Sequence, residues 1–527
     1  MKKIFTLMFA AAMTMAASAT DYTGKLSVSL FGEPVEAGET TISIDEAEDG
    51  TSTLTLKNFT FSGMPIGTIT LDGVQNTACG SIDLMKGAKT ITIAEGDDAS
   101  VESWMGPSLG QLPILFEGKV AKNKLDAVIL IDVNKSGLGV IKVQFGDHPE
   151  EIGQIPNSGF ERFHTASYKV ITTSTSDEPD AWHSFMSCTG SMKAAVAGTT
   201  HTYISDDVRP GSTGTSSVKV VSSVVLGQSA NGTITTGQLN AGSTSAADTK
   251  NNAFLNLENT STDAAGDPFY AALTTYPDSI AVWVKFHKGA SKDYCATMSA
   301  VITDGTYYQD PENQTYTNVM AKANCSSIAG TDEWQRVVVP FDYASYLDNK
   351  VIGNNKAILV TLSTCSTPGG GSTNKNDVDA LYVDDASLIY NSELSELTYN
   401  GKSVSGFDPK TYAYTLEGDG PFDLDLLDFN CESMADESMV STTYTDEENA
   451  HTTVYVTSIA DDLQSWTTYA IDYTNRIAAG IGDAKVSADK TPVALYDLSG
   501  RRVTNTSANG VYVVRTADGK AYKMIKK

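Results

Sequence analysis

Thr53-Leu54-Thr55-Leu56-Lys57 is followed shortly by Thr68-Ile69-Thr70-Leu71, and the same beat returns in Ile141-Lys142-Val143-Gln144-Phe145. Apolar and polar residues alternate with a period of two, the pattern of a strand with one face buried and the other in water. Eight or so such strands fit into the roughly 125 residues from Asp21 to Phe145. That number suits a closed up-and-down barrel or a sandwich. The fold class is all-β.

The rest of the chain agrees with that reading. It has 527 residues and a mass of 56.0 kDa, room for three or four domains. Charged residues make up 19% and hydrophobic residues 41%, enough apolar material for several cores. Lys plus Arg is 37 and Asp plus Glu is 64, a net charge of −27. An acidic chain of this kind excludes nucleic acid as a partner, because phosphate binding needs a basic surface.

Met1-Lys2-Lys3, an uncharged apolar run to Ala17 and the sequence Ala17-Ser18-Ala19 read as a secretory signal peptide over residues 1–19. No other stretch is long and apolar enough to span a bilayer, so the mature chain is expected to carry no transmembrane segment. Export permits disulfides, and Cys295 with Cys325 is the favoured pair; buried free thiols are the other reading.

Gly146-Asp147-His148-Pro149-Glu150-Glu151 breaks the first strand pattern. A second β segment runs over 150–392, punctuated by Asn231-Gly232, Asp304-Gly305 and Pro368-Gly369-Gly370-Gly371. Inside its Ser/Thr/Gly-rich middle, Val218, Val220, Val224 and Leu226 mark strand. A third unit, 393–475, opens on a hairpin signal at Asn400-Gly401. The tail, 476–527, has three short strands, Val493 to Tyr496, Val511 to Val514 and Ala521 to Ile525.

Familiar catalytic patterns are missing. The six histidines, at 148, 164, 183, 201, 287 and 451, show no metal-binding spacing, and no C-x-x-C exists. Gly106-Pro107-Ser108-Leu109-Gly110 matches a nucleophile-elbow string but leads into a Pro-containing strand rather than a helix. Asp423, Asp425 and Asp428 read as the wet face of a strand. No catalytic residue is assigned. Trp182 and Trp334 read as core. Trp283, in Val282-Trp283-Val284, points away from its apolar neighbours and either packs under a second layer or lies exposed on a sheet. Tyr307, Tyr308 and Tyr316 sit in a polar, turn-rich stretch where aromatic faces beside amides and carboxylates suit sugar rings. Asp310, Asn313 and Arg209 are the candidate hydroxyl partners.

Read in order, the segments resemble families of exported proteins of Gram-negative gut and oral bacteria. Residues 20–148 resemble the calycin-like β-barrel domain through Asp21-Tyr22-Thr23-Gly24-Lys25-Leu26, Leu56-Lys57-Asn58-Phe59, Pro65-Ile66-Gly67-Thr68-Ile69 and Val143-Gln144-Phe145-Gly146. Residues 150–392 resemble the family called the putative carbohydrate metabolism domain, a jelly-roll sandwich similar to carbohydrate-binding modules. The strings are Asn157-Ser158-Gly159-Phe160-Glu161, Glu178-Pro179-Asp180-Ala181-Trp182, Trp334-Gln335-Arg336-Val337-Val338-Val339-Pro340-Phe341 and Leu381-Tyr382-Val383-Asp384-Asp385. Residues 393–475 are similar to immunoglobulin-like modules. Leu495-Tyr496-Asp497-Leu498-Ser499-Gly500-Arg501-Arg502, Gly510-Val511-Tyr512-Val513-Val514 and Lys523-Met524-Ile525 resemble the C-terminal sorting domain of type IX secretion cargo.

These resemblances imply a secreted or cell-surface glycan-binding accessory protein that crosses the periplasm and meets the type IX secretion machinery. A glycoside hydrolase using two carboxylates of the jelly roll and a structural adhesion protein are the rival readings. The jelly-roll resemblance also implies a structural calcium between Glu161 and Asp384 or Asp385, since a first-strand Glu and a last-strand Asp often share one ion there. A paired-acid cleft flanked by aromatics would favour hydrolysis, a flat aromatic sheet without such a pair would favour binding, and neither feature would favour the structural reading. Deleting residues 477–527 is expected to leave a folded protein held in the periplasm. Cell fractionation checks this, and normal surface or medium levels of the truncated chain would refute the sorting role.

Overall fold

The computed structural model describes residues 19–30, 32–61, 63–290, 294–353, 356–431, 438–445, 450–477, 492–497, 502–504, 510–516 and 521–526. Nearly all of the signal-peptide reading and the tail turns lie outside the described residues. The chain divides into two compact units. The larger comprises Met1–Tyr414, Leu424–Tyr444 and Val454–Ile471, the smaller Thr415–Asp423, Thr445–Thr453 and Asp472–Lys527.

The larger unit opens with a closed antiparallel barrel of eight strands. They are β1 (Thr20–Leu30), β2 (Glu33–Glu46), β3 (Thr51–Phe61), β4 (Met64–Cys79), β5 (Ile82–Thr92), β6 (Gln111–Ala121), β7 (Lys124–Asp132) and β8 (Val140–Phe145). Pairing of β1 with β8, Leu26 opposite Phe145 and Val28 opposite Val143, closes the ring. The inward phase of each strand supplies the core: Ile42, Leu54, Leu56, Ile69, Leu71, Ile114, Phe116, Ile129 and Val143 pack together inside. An eight-stranded barrel is just wide enough for side chains to fill it. The G-x-S-x-G string forms the short 3-10 turn Gly106–Leu109, and the Ser108 hydroxyl donates to Met105 O at 2.7 Å.

β7 does not alternate. Ala127-Val128-Ile129-Leu130-Ile131 is buried on both faces. Its outward residues Val128 and Leu130 pack with Leu115, Val140, Ile152, Ile459 and Leu463, so the barrel wall is itself covered. A continuous apolar strand is what such double burial demands.

Two antiparallel sheets follow and face one another. One has five strands in the order Thr202–Ser205, Ser217–Val221, Ala380–Ile389, Ser279–His287, Thr331–Pro340. The other runs Thr233–Thr235, Lys356–Ser363, Ala296–Thr303, Val319–Ile328, with Ala271–Leu273 also pairing Lys356–Ser363. Ile280, Val282, Val284 and Phe286 from the first interleave with Ala300, Ile302, Ile358 and Val360 from the second around Trp182 and Phe160. Trp182 is fully buried, and its indole N–H donates to Pro156 O at 3.0 Å, as a core tryptophan requires. Val218, Val220 and Val224 lie in strands, whereas Leu226 stands in a turn at φ +50° with its side chain exposed.

Strands Leu394–Tyr399, Lys402–Ser403 and Leu427–Cys431 make a three-stranded sheet. Asn400 and Gly401 take φ +51° and +68°, the left-handed turn an Asn-Gly pair is chosen for. The acidic stretch is strand only from Leu427 onward; Leu424–Leu426 is a 3-10 turn, so Asp423 and Asp425 do not belong to the strand expected there.

The turn after strand His451–Ile459 ties the larger unit together. Asp461 accepts from Lys86 of the barrel at 2.7 Å and from the Tyr276 N–H of the sandwich at 2.7 Å. Asp462 accepts from Gln154 Nε2 at 3.0 Å, and burial raises its pKa. Lys142 of β8 donates to Gln464 Oε1 at 2.5 Å, while Gln464 Nε2 donates to Pro149 O at 3.0 Å.

In the smaller unit, four tail strands pair in the order Arg502–Val503, Pro492–Asp497, Gly510–Thr516, Ala521–Lys526. Among the described residues no helix is long and apolar enough to cross a membrane. All six cysteines are free thiols. The expected Cys295–Cys325 pair is not formed, because Cys325 stands opposite Met298 in the sheet ladder.

Asp461→Ala would strip the part-buried Lys86 ammonium of one partner and leave the Tyr276 N–H unmatched. It is expected to cost about 2–3 kcal/mol in denaturant unfolding. Asp72→Ala, which removes an exposed pair with Lys89, should leave the unfolding midpoint in place.

Candidate functional site

The outer face of the five-stranded sheet carries the densest group of solvent-facing aromatic and charged side chains described above the sandwich core. Period-two alternation places it there. In Ser279–His287, the residues Ile280, Val282, Val284 and Phe286 go inward, and Trp283 and Lys285 go out. Trp283 stands opposite Arg336 on one neighbouring strand and Asp384 on the other, and Lys285 stands opposite Tyr382. Lys219 pairs across with Tyr382 and with Tyr203, extending the row to the sheet edge.

Cations and rings interleave along this row. The Lys285 ammonium lies 4.3 Å from the Tyr382 ring centroid and 5.9 Å from that of Trp334. Lys219 lies 5.4 Å from Tyr382, and the Arg209 guanidinium 5.6 Å from Trp283. Such contacts hold each other's orientation at about 0.5–1 kcal/mol apiece where water reaches them. Asp207 anchors the centre: it accepts from the Trp334 indole N–H at 3.0 Å and pairs with Lys285. Burial opposes its charge, but those two donors hold its carboxyl below the usual range. Trp334 is therefore half-exposed on the sheet, not in the core as its sequence context suggested.

A bulge shapes one end. Two residues of Ala380–Ile389 oppose one of Ser279–His287 between Ala281 and Trp283, and Asp385 takes φ +45°. The bulge brings two adjacent carboxylates to Arg209. Asp384 is buried, accepting the Arg209 N–H at 3.0 Å, and burial raises its pKa to about 6. Asp385 turns out to pair with the Arg209 side chain. Ser158, Arg209, Trp283, Arg336, Asp385 and Ser387 thereby frame a shallow depression of about 280 Å³. Asp207 and Asp385 are each tied to a cation. Lys219 and Arg336 have no carboxylate partner among the described residues.

The sequence-proposed residues separate into two groups. Trp283 and Arg209 meet on this face. The tyrosine stretch lies elsewhere, and two of its rings are not available. Tyr308 is 1% exposed and Tyr316 9%, packed edge to face with centroids 5.0 Å apart. Strand Tyr308–Asp310 adds to a small sheet over a separate core that absorbs both rings, so neither can stack on a ligand. Tyr307 stays 43% exposed, its hydroxyl donating to Gln309 at 3.0 Å. Asn313 accepts from the Tyr316 hydroxyl at 2.9 Å. Asp310 borders a second cleft of about 410 Å³ beside Asn251, Asn252, Ser299 and Phe185, where burial raises its pKa.

The carboxylates expected to share calcium have protein partners. Glu161 accepts the N–H groups of Thr215 and Ser216 at 2.9–3.1 Å, and Asp385 pairs with Arg209. Of this set, Asp384 Oδ1 is buried without a partner.

Sequence reading missed Trp334, Tyr382, Lys285, Lys219, Tyr203 and Asp207. The available signal was the wet phase of alternating strands: Lys285 two places from Trp283, and Tyr382 between Leu381 and Val383.

The family model described as a Calycin-like beta-barrel domain matches residues 19–147. No curated protein matches the chain. Among solved structures, a putative glycoside hydrolase from Bacteroides thetaiotaomicron is 13% identical, with a TM-score of 0.30, covering 71% of this chain and 98% of its own. Another putative glycoside hydrolase, from Bacteroides vulgatus, is 16% identical with a TM-score of 0.29, covering 44% and 96%. TmCBM61, solved with beta-1,4-galactotriose, is 11% identical with a TM-score of 0.18, covering 40% and 90%.

Tyr308→Ala should lower stability by about 3–5 kcal/mol, the cost of emptying a buried aromatic position. Trp283→Ala, on the open face, should cost well under half of that. Parallel urea unfolding of the two variants checks the division; equal losses would contradict it.

Proposed function

We propose that this protein is an exported, surface-acting glycan-binding accessory protein, and that it holds its ligand on the outer face of the five-stranded sheet. One observation carries the reading: Trp283, Trp334, Tyr382 and Tyr203 share one open, strand-borne face, with hydrogen-bonding side chains between them. Pyranose rings present C–H faces to aromatic rings and hydroxyls to polar groups. The carboxylates beside the rings, Asp207 and Asp385, are paired with Lys285 and Arg209. Binding is the chemistry it suits.

Two features refine the ligand class. Lys219 and Arg336 are cations without carboxylate partners among the described residues, on a chain of net charge −27. They favour glycans bearing carboxylate or sulfate groups over neutral ones. The basic N-terminal segment with its Ala17-Ser18-Ala19 site and the tail strings Leu495–Arg502 and Gly510–Val514 support passage to the cell surface through the type IX machinery, where such polymers are met.

Exposed stacking and a few hydrogen bonds give dissociation constants on the order of micromolar to millimolar. A panel of neutral and uronate-bearing polysaccharides should show binding in that range, stronger for the acidic members and weakened by salt. Trp283→Ala combined with Trp334→Ala should reduce it more than tenfold with the fold intact by circular dichroism. Unchanged binding in that variant would move the site off this face, and a parent protein that binds no glycan would overturn the reading.

A further inference from the structure

Away from that face, three segments of the sandwich converge on a buried point. Strand Phe163–Lys169 pairs with Thr173–Pro179 so that His164 stands opposite Glu178. The chain leaving the second strand brings Asp180 and then His183, whose backbone exchanges hydrogen bonds with Thr235 at 2.8 and 3.0 Å. The turn from Thr262 to Pro268, closed by a bridge between its ends, brings Asp263. The side chains of Glu178, His183 and Asp263 are at most 1% exposed, and that of His164 is 11% exposed.

Four atoms face one another there, Glu178 Oε2, His164 Nε2, Asp263 Oδ2 and His183 Nε2, with long imidazole–carboxylate contacts as their only partners among the described residues. Neighbours along this row stand 3.8, 3.6 and 3.4 Å apart. Ligand atoms at about 2.0–2.2 Å around a tetrahedral zinc ion stand roughly 3.3–3.6 Å from one another. The row is open, no three of its atoms all lying within 4.8 Å of one another, so an ion would draw the side chains inward around it. Imidazole–carboxylate contacts of these lengths satisfy such buried groups only in part, and a bound ion would complete them.

The opposite atom of three of these side chains is already fixed. His164 Nδ1 lies 3.0 Å from Asp180 Oδ1. Glu178 Oε1 accepts from the Ser184 N–H at 2.7 Å and from the Ser184 and Ser187 hydroxyls. Asp263 Oδ1 accepts the N–H groups of Ala265 and Asp267 at 2.9 and 2.8 Å. The His183 ring rests on Phe269, centroids 4.5 Å apart. A carboxylate behind a ligating imidazole is the usual outer shell of a transition-metal site.

We propose that His164, Glu178, His183 and Asp263 bind one divalent transition-metal ion of the zinc class, which pins the first hairpin of the sandwich to the turn Thr262–Pro268. Two imidazoles and two carboxylates match zinc's preference for nitrogen and oxygen donors and balance its charge. Calcium, which takes six to eight oxygens, fits this donor set poorly. The sequence hides the site because its histidines are far apart in the chain and on separate segments.

Cobalt(II) is the probe. Full-length, metal-stripped protein titrated with Co2+ should develop the intense visible absorption of a four-coordinate ion, saturating near one equivalent, with a raised melting temperature. His183→Gln and His164→Gln should each abolish that spectrum. Should those variants fail to fold, Asp180→Asn, which reaches the ion only through His164, should still weaken Co2+ binding about 10–100-fold. His451→Gln should leave it unchanged. A folded parent that yields no such spectrum, or Asp180→Asn and the histidine variants that bind Co2+ as the parent does, would overturn the site.

Discussion

Two adjacent buried carboxylates, Asp461 and Asp462, set the frame of the larger unit. A charge inside protein is tolerable only when paired and hydrogen-bonded. Here the partners come from different places: Lys86 from the barrel, the Tyr276 N–H and Gln154 from the sandwich side. Satisfying both acids therefore obliges barrel, sandwich and the hairpin turn to meet. The apolar packing beneath agrees, with Ile459 and Leu463 of the same turn covering Val128 and Leu130 of the barrel wall. Specific ion pairs fix the geometry that non-directional apolar burial only permits.

That frame bears on the proposed role. A sugar polymer gains little free energy at any one contact, so a surface that binds it must lose little entropy in doing so. The row from Tyr203 to Trp283 is carried on strands rather than loops, and its rings are held by Asp207, Lys285 and Arg209 before any ligand arrives. Pre-positioned side chains on a rigid sheet suit weak, repeated contacts.

Much of the fold was legible because alternation is a local signal. Leu54, Leu56, Ile69 and Leu71 fill the barrel where their phase puts them, and Asn400-Gly401 turns the hairpin its backbone freedom allows. Position relative to other segments was not legible. Tyr307, Tyr308 and Tyr316 look alike in a polar stretch, yet only the register of strand Tyr308–Asp310 against Asn251–Leu255 decides that Tyr308 enters a core. Trp334 reads as core beside an apolar run, but it shares the outward phase of Arg336, which stands opposite Trp283. Cys295 and Cys325 share a segment but not a ladder position. His164 and His183 face one acid across a hairpin and a distant turn, a meeting no spacing rule contains.

The claim at the centre is that ligand meets the outer sheet face. The chain has five tryptophans, Trp104, Trp182, Trp283, Trp334 and Trp466, so its indole N–H resonances report on the molecule at five separable points. In a glycan titration followed by nitrogen–proton correlation spectra, the account predicts saturable shifts of the Trp283 and Trp334 indoles, with the Trp182 indole stationary in the core. Stationary Trp283 and Trp334 signals under a glycan that demonstrably binds would contradict it.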